Sequence, residues 1–350
     1  MTKIFDIINI PLSYVMRFLA QLFGGHFAAS VFVFTLLIDV ILIPLSIKSQ
    51  KSSVEQLRIK PKLDELKKRY GDDKQKFAQE QQALYQKEGV SMAGGCVPML
   101  VRLLLLFSIY SLILCPVTYM AGANKNDVSA VSKAVNTAME DYKEKDEKKF
   151  KDYSEKLSWP SGGISDNNQL GLVKVVDADP TLIKEIVGDK NFEKIEKNLT
   201  NIKEDVKKAD IDYTLFGIDL TDTPDFDIDI FHNFKLNWLL PIGSFIAQML
   251  MSVISMRINK INNPDAPSMG MMLYLMPIVS LAIGFTFPCG VCFYWICSSV
   301  VGGLVQVLIQ VIYGPQRMLV KVRAKALAEQ CDFESKQLAK YDGTEKNDIF

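Results

Sequence analysis

Apolar and polar positions along the 350 residues fall into long separate blocks. Residues 27–47 form a predominantly apolar run of about twenty residues, enough at ~1.5 Å per residue to cross a ~30 Å hydrocarbon layer. Four further apolar runs follow, and together they predict five helical spans at 27–47, 96–121, 236–256, 271–287 and 288–312. The fourth is short and contains Pro277. Cations mark the inner ends: Lys48 and Lys51 close the first run, Arg257 and Lys260 follow the third, and Arg317, Lys321, Arg323 and Lys325 follow the fifth. Excess Lys/Arg belongs on the cytoplasmic side. The expected topology is multi-pass across a membrane, with the N-terminus outside and the C-terminus inside.

The blocks between the runs have characters of their own. Residues 1–26 place Phe5, Ile8, Leu12, Val15, Phe18, Leu19, Leu22 and Phe23 at largely helical spacing around Asp6, Ser13 and Arg17, with Pro11 interrupting. This reads as an amphipathic helix lying in the interface, with a sixth span as the rival. Gly24-Gly25 makes a hinge. Residues 48–95 form a cytoplasmic helical hairpin with arms at 52–70 and 72–87. Val54, Leu57, Leu63, Leu66, Phe77, Leu84 and Tyr85 supply its thin apolar seam, and eleven Lys/Arg stand against seven Asp/Glu. Residues 122–235 are an extracytoplasmic insertion, with helices expected at 124–156 and 180–209, a break at 159–163, and short strands at 170–176 and 213–220. Residues 257–270 are a cytoplasmic loop and 313–350 a cytoplasmic tail. The predicted fold is an all-α polytopic membrane protein: a five-helix transmembrane bundle with a cytoplasmic helical hairpin and an inserted extracytoplasmic domain.

Composition adds little to this picture. The formal net charge of zero hides the asymmetry between blocks. Of the cysteines Cys96, Cys115, Cys289, Cys292, Cys297 and Cys331, none falls in 122–235, so no disulfide framework holds the insertion. Cys289-Gly-Val-Cys292 has the C-x-x-C spacing, but redox or metal chemistry needs a polar, accessible site and this pair opens an apolar helix. No basic, apolar and small-residue sequence of a cleavable signal peptide is evident. His26 and His232 are the two histidines, and no nucleophile–base or metal-ligand spacing occurs. No catalytic residue, cofactor, metal or nucleic-acid partner is expected.

The chemistry lies inside the membrane. Asp39 sits within the first span and Arg102 within the second. A charge in hydrocarbon costs about 2.5 kcal/mol or more, so each is expected to face a partner or water. Asp39 stands ~13 Å and Arg102 ~9 Å from the cytoplasmic ends of two antiparallel neighbours. Opposite charges at similar depth predict an ion pair or shared water; snorkelling of Arg102 is the alternative. Gln248, Ser298, Gln306 and Gln310 are polar marks on later spans, consistent with ordinary helix–helix hydrogen bonds. Intramembrane charges also mark transport paths, so a small-solute or ion transporter or channel is the competing reading. No internal repeat of the kind such proteins use is found.

Several stretches carry a resemblance. Ile43-Pro44-Leu45, the hairpin run PKLDELKKRYGDDKQKFAQEQQALYQKEGV, Gly94-Gly95-Cys96-Val97-Pro98, Phe287-Pro288-Cys289-Gly290 and Phe293-Tyr294-Trp295 resemble a YidC-type membrane protein insertase, a family related to the insertases of mitochondria and thylakoids. The resemblance covers roughly 27–120 and 213–315. It implies a five-helix bundle with a hydrophilic groove open to the cytoplasm and to lipid. It further implies a role in moving nascent membrane proteins into the bilayer, alone or beside the Sec translocon, with the ribosome as a further partner. Asp39, Arg102, Thr35, Gln248, Ser298 and Gln306 would line the groove. Tyr294 and Trp295 match positions on the path of the substrate's apolar segment, and an amphipathic ring pair is equally an interfacial anchor. The hairpin would be a mobile cytoplasmic lid.

Three departures stand out. The family usually carries arginine where Asp39 stands and an uncharged residue where Arg102 stands. The groove's positive charge has thus moved from helix one to helix two, and pairing would weaken its field. The insertion lies between spans two and three, whereas the large external domain of Gram-negative members precedes the core. The tail is balanced beyond Lys325, which speaks against docking a ribosome through it.

Overall fold

A computed structural model describes residues 2–90, 97–157, 159–160, 162–224, 235–262 and 270–314, with 320, 324, 327–328 and 330–338 of the tail. Gly94, Gly95, Cys96, His232, the 263–267 turn and the tail cations Arg317, Lys321, Arg323 and Lys325 lie outside the described residues. The elements in order are α1 (Thr2–Leu22), α2 (Phe27–Ile41), α3 (Ile43–Tyr70), α4 (Lys74–Lys87), α5 (Val97–Leu114) and a π-helical turn at Val117–Ala121. They continue with α6 (Lys125–Lys145), α7 (Glu147–Leu157), α8 (Leu170–Asp177), α9 (Pro180–Val187) and α10 (Asp189–Ala209). A hairpin of β1 (Thr214–Leu215) and β2 (Ile218–Asp219) leads to a 3-10 turn at Leu236–Trp238. Last come α11 (Leu239–Asn262), α12 (Gly270–Gly284) and α13 (Cys289–Ile312).

By length and composition, Leu236–Ile258 and Cys289–Ile312 can each cross a membrane. α2 with the start of α3 makes a third span if the two are one broken helix. Leu100–Leu114 and Tyr274–Gly284 are shorter apolar helices. The burial pattern on α2 points the same way. Ser30, Thr35 and Asp39 are buried, while Phe32, Leu36, Leu37, Val40 and Ile41 are exposed. Only an apolar solvent rewards a helix that turns its polar residues inward and its large hydrophobics outward.

The chain divides into two compact units. The first comprises Met1–Asp39, Arg102–Ser252 and Met269–Gly302. It has two apolar cores. One joins Met16 and Leu19 of α1, Phe27 and Phe34 of α2, Leu112 of α5 and Val291 of α13. The other runs from Val117 of the π-helical turn through residues 123–202, where Val131 and Val135 of α6, Leu157 of α7, Leu172 of α8, Ile183 of α9 and Ile202 of α10 are all fully buried.

Backbone bonds fasten the insertion to the helix ends. The buried side chain of Gln169 accepts from the Thr118 amide at 2.9 Å and donates to the Thr118 hydroxyl at 2.8 Å. The Gln169 amide donates to the Leu114 carbonyl at 2.7 Å, satisfying a group that the end of α5 leaves open. The amides of Cys289 and Gly290, at the start of α13, donate to the carbonyls of Asp222 and Leu220 at 2.8 and 2.7 Å. Ahead of α2, the Phe27 amide donates to the Asp212 carbonyl at 3.0 Å. Gly25 makes that approach possible: its φ is +88°, and a β-carbon there would overlap the Asp210 carbonyl oxygen.

The second unit comprises Val40–Val101, Val253–Ser268 and Gly303–Phe350. In it α3 and α4 form the hairpin, with Asp73 capping α4 through the Lys76 amide at 3.0 Å. Val54, Ile59 and Val90 are buried at its root, while Leu63, Leu66, Phe77, Leu84 and Tyr85 are half-buried. Glu88 closes the hairpin: Arg58 lies 3.5 Å from its carboxylate and Lys62 bonds to it. The Lys62 hydrogen bond, with the nearby charges of Lys62 and Arg58, holds the Glu88 carboxyl below its usual value against the effect of burial.

Some expectations need correction. Pro11 does not interrupt α1, which runs unbroken from Thr2 to Leu22. Pro11 is exposed, so the carbonyl that its missing N–H leaves unpaired is not trapped in a core. Residues 170–176 are helix α8 and not a strand, because Leu172, Val175 and Val176 lie on the face that packs into the insertion core. The 124–156 helix breaks at Asp146, and the 180–209 helix breaks at Gly188.

Candidate functional site

α2 carries Asp39 near its C-terminal end, and α5 carries Arg102 in its second turn. The Arg102 guanidinium donates through Nη2 to Asp39 Oδ1 at 3.1 Å. The two partners differ in exposure. The Asp39 side chain is 6% exposed, whereas that of Arg102 is 40% exposed. The carboxylate is thus sealed, while much of the cation remains open to whatever lies outside the protein. α13 covers the pair through Gly302, where a β-carbon would lie 3.4 Å from both Arg102 Nη atoms and from Asp39 Oδ1.

The other residues singled out from sequence sit as follows. Thr35 is buried, and its hydroxyl donates back to the Val31 carbonyl at 2.7 Å. Gln248 accepts from the Ser280 hydroxyl at 2.9 Å, joining α11 to α12. Ser298 is half-buried beside the Tyr294 hydroxyl. Tyr294 is buried and lies within electrostatic reach of both Asp39 and Arg102. Trp295 is half-buried and meets Phe287 with ring centroids 5.9 Å apart; Phe287 in turn meets Tyr110 at 5.0 Å. Gln306 is half-buried on α13. The arrangement brings together Asp39 and Arg102, with Tyr294 close by, while Gln248 and Thr35 are bonded elsewhere.

Sequence reasoning missed Gly302. A Gly-Gly step inside an apolar span is a signal of close approach, and it was available at Gly302-Gly303. Ser108 on α5, fully buried and with its hydroxyl unbonded, was also missed.

The C-x-x-C spacing has no redox geometry behind it. Cys289 and Cys292 are fully buried free thiols, directed at the carbonyls of Asn237 and Gly284. Among the described residues no group of three or more His, Cys, Asp or Glu is placed to hold a metal ion.

A bilayer-type burial pattern, long apolar helices and a sealed ion pair define a helical membrane protein that keeps charge inside its apolar region. The comparisons with known proteins narrow this. The model of the 60Kd inner membrane protein family matches residues 18–157 and 184–316, which is most of the chain, and the chain belongs to that family. It is 37% identical over 110 residues to "Membrane protein insertase YidC 2" of Listeria innocua, a stretch covering 30% of this chain and 38% of that protein. It is 38% identical over 109 residues to "Membrane protein insertase YidC" of Rickettsia felis, covering 31% of this chain and 19% of that one. "Membrane protein insertase YidC 1" of Listeria monocytogenes serotype 4b is 36% identical over 110 residues. The matched stretches thus span well under half the length of these relatives.

Proposed function

We propose that the protein is a membrane protein insertase of the bacterial plasma membrane. It receives nascent membrane proteins in a hydrated groove that opens toward the cytoplasm and contains the Asp39–Arg102 pair. The observation that carries this reading is the asymmetry of the pair: a sealed carboxylate anchors a guanidinium that is 40% exposed among apolar helices. A fixed, partly solvated cation in hydrocarbon draws water to itself, and that water lowers the desolvation penalty for a substrate's polar tail. No bond is made or broken, so the work is done by solvation and shape.

The five-span topology with N-terminus outside, the 48–95 hairpin as a cytoplasmic lid, and residues 122–235 as the extracytoplasmic insertion all belong to this proposal. So do Thr35, Gln248, Ser298 and Gln306 as groove positions, and Tyr294 and Trp295 as part of the substrate path. The Sec translocon is a partner by the same reasoning. The burial of Tyr294 and the contact of Trp295 with Phe287 support a wall position for both in that path.

The test is complementation of an insertase-depleted bacterium with wild type, Asp39→Asn, Arg102→Gln and the exchanged Asp39→Arg/Arg102→Asp protein, reading insertion of a reporter with a translocated N-terminal tail. Wild type and exchange are expected to work while both single variants fail, as a coupled pair requires. Silence of both single variants would overturn the role of the pair. Failure of the expressed, correctly oriented wild type in this host and in a closer one would overturn the insertase reading.

A further inference from the structure

The insertion holds a cavity of about 1030 Å³ that the ion pair does not explain. This is the upper end of the ~300–1,000 Å³ typical of ligand sites. Its walls come from α6, α7, α8 and the turn between α7 and α8; its floor comes from Asn237, just ahead of α11, and Thr286, just after α12. It therefore opens where apolar helices end.

The lining is of two kinds. Trp159, Phe150 and Met139 give apolar surface, and Asn168, Thr221 and Thr223 give amide and hydroxyl groups, while the Asn136 amide is bonded to Glu140 and to the Ile164 amide. Two buried polar oxygens there, Ser154 Oγ and Asn237 Oδ1, have no partner. Buried unpaired oxygens are costly and rare, and they mark a place where something else can bond. Lys143, Lys174 and Lys235 line it together with Glu140 and Asp222, and Asp219 offsets the charge of Lys174. Lys174 is held by Asp219 at 3.1 Å, while Lys143 lies exposed on α6. The family match passes over residues 158–183, which supply Trp159, Gly162, Asn168 and Lys174. Part of the cavity wall is therefore built from a stretch that the family model does not describe.

We propose that this cavity binds the extracytoplasmic segment of a substrate as it emerges, an extended polypeptide poor in Lys and Arg. The proposal rests on the insertase reading for its location and partner. Amides and hydroxyls suit a peptide backbone that has lost its water, and the aromatic wall suits one apolar side chain. The exposed ammonium of Lys143 suits translocated segments in particular, because Lys and Arg are retained on the cytoplasmic side.

Gly162 provides a clean test. It lines the cavity, and a β-carbon there would meet nothing within 4 Å, so Gly162→Trp fills the space without disturbing the fold. Full-length protein in nanodiscs would be titrated with a fluorescent ten-residue peptide containing two Asp and one Leu, with its Lys-substituted counterpart, and with a neutral tetrasaccharide, reading anisotropy. The acidic peptide is expected to bind at least about tenfold more tightly than the basic one. Gly162→Trp and Lys143→Glu are each expected to weaken it about tenfold, with the unfolding midpoint unchanged. Equal binding of both peptides, indifference to Gly162→Trp, or binding of the tetrasaccharide and not the peptide would overturn the proposal. Peptide binding is read without insertion, so the two readings fail separately. Lost complementation with peptide binding intact removes the insertase role alone, and intact complementation without peptide binding removes the cavity's role alone.

Discussion

The ion pair makes an ordered prediction about stability. At 3.1 Å, and with an effective dielectric of about 20, the attraction is on the order of 5 kcal/mol before desolvation is counted. Desolvation takes back most of this, so the pair as a whole is worth little over two well-packed neutral groups, whereas breaking a buried pair costs about 3–5 kcal/mol. The two single substitutions are not equivalent. Arg102→Gln leaves a carboxylate that is 6% exposed, with no escape except to take up a proton. At pH 7 protonating an ordinary carboxylate costs about 4 kcal/mol, which sets the ceiling. Asp39→Asn leaves a guanidinium already 40% exposed and so not sealed inside the protein, and its penalty falls to about 1–2 kcal/mol. The double variant Asp39→Asn/Arg102→Gln is expected within about 1 kcal/mol of wild type, giving a coupling of at least about 2 kcal/mol. Reversible denaturant unfolding of the full chain in mild-detergent micelles measures all four proteins. Asp39→Asn costing as much as Arg102→Gln, or a double variant equal to the sum of the singles, would refute the reasoning.

Other consequences are as direct. Gly302→Ala should be tolerated, since its methyl meets the pair at 3.4 Å, while Gly302→Leu should destabilise by about 1–3 kcal/mol and abolish complementation; a functional Gly302→Leu would show that α13 need not approach the pair. Glu88 is held below its usual carboxylate value of 4.5, so its contribution to the hairpin is present above about pH 4.5 and is lost as pH falls through the lower folded value. Glu88→Gln should remove about 1 kcal/mol at neutral pH, read as faster amide exchange at Val90, and should flatten that pH dependence. Among the five cysteines the structure describes, Cys331 is exposed and the rest are buried. A maleimide should therefore label it first, and from the inner face alone if the tail is cytoplasmic. Gly25→Ala should cost more than about 1 kcal/mol in thermal unfolding, because its φ of +88° and the Asp210 carbonyl leave no room for a methyl group.

The parts legible in sequence were those governed by the solvent. Apolar run length anticipated helices long enough to cross a membrane at Leu236–Ile258 and Cys289–Ile312, and depth counted from the inner ends of the first two runs matched Asp39 to Arg102, which the structure joins at 3.1 Å. The strand expected at 170–176 failed because Leu-Gly-Leu-Val-Lys-Val-Val is β-branched and reads as period two, whereas burial of Leu172, Val175 and Val176 against α6 and α10 imposes a helix. Tertiary burial outweighed local propensity there. At Pro11 the error was to treat a lost hydrogen bond as a break, although an exposed helix surface tolerates one. Gly302 was illegible as a neighbour of the pair because sequence gives depth but not azimuth. The cavity was illegible because its lining runs from Asn136 to Thr286, which only the folded insertion gathers.

The fastenings of the insertion have a mechanical meaning. Phe27 at the head of α2 and Cys289 and Gly290 at the head of α13 are bonded to residues 212–222 around the β-hairpin, and Thr118 beyond the foot of α5 is bonded to Gln169 ahead of α8. Three helices are thereby clamped at the same end, like the tines of a fork set in a handle. Tines bend least at the handle and most at their tips. Any spreading that admits a guest between these helices must begin at the far end and die away toward the clamp. Loosening the clamp, by Gln169→Ala for instance, would let these helices part at their fastened end as well.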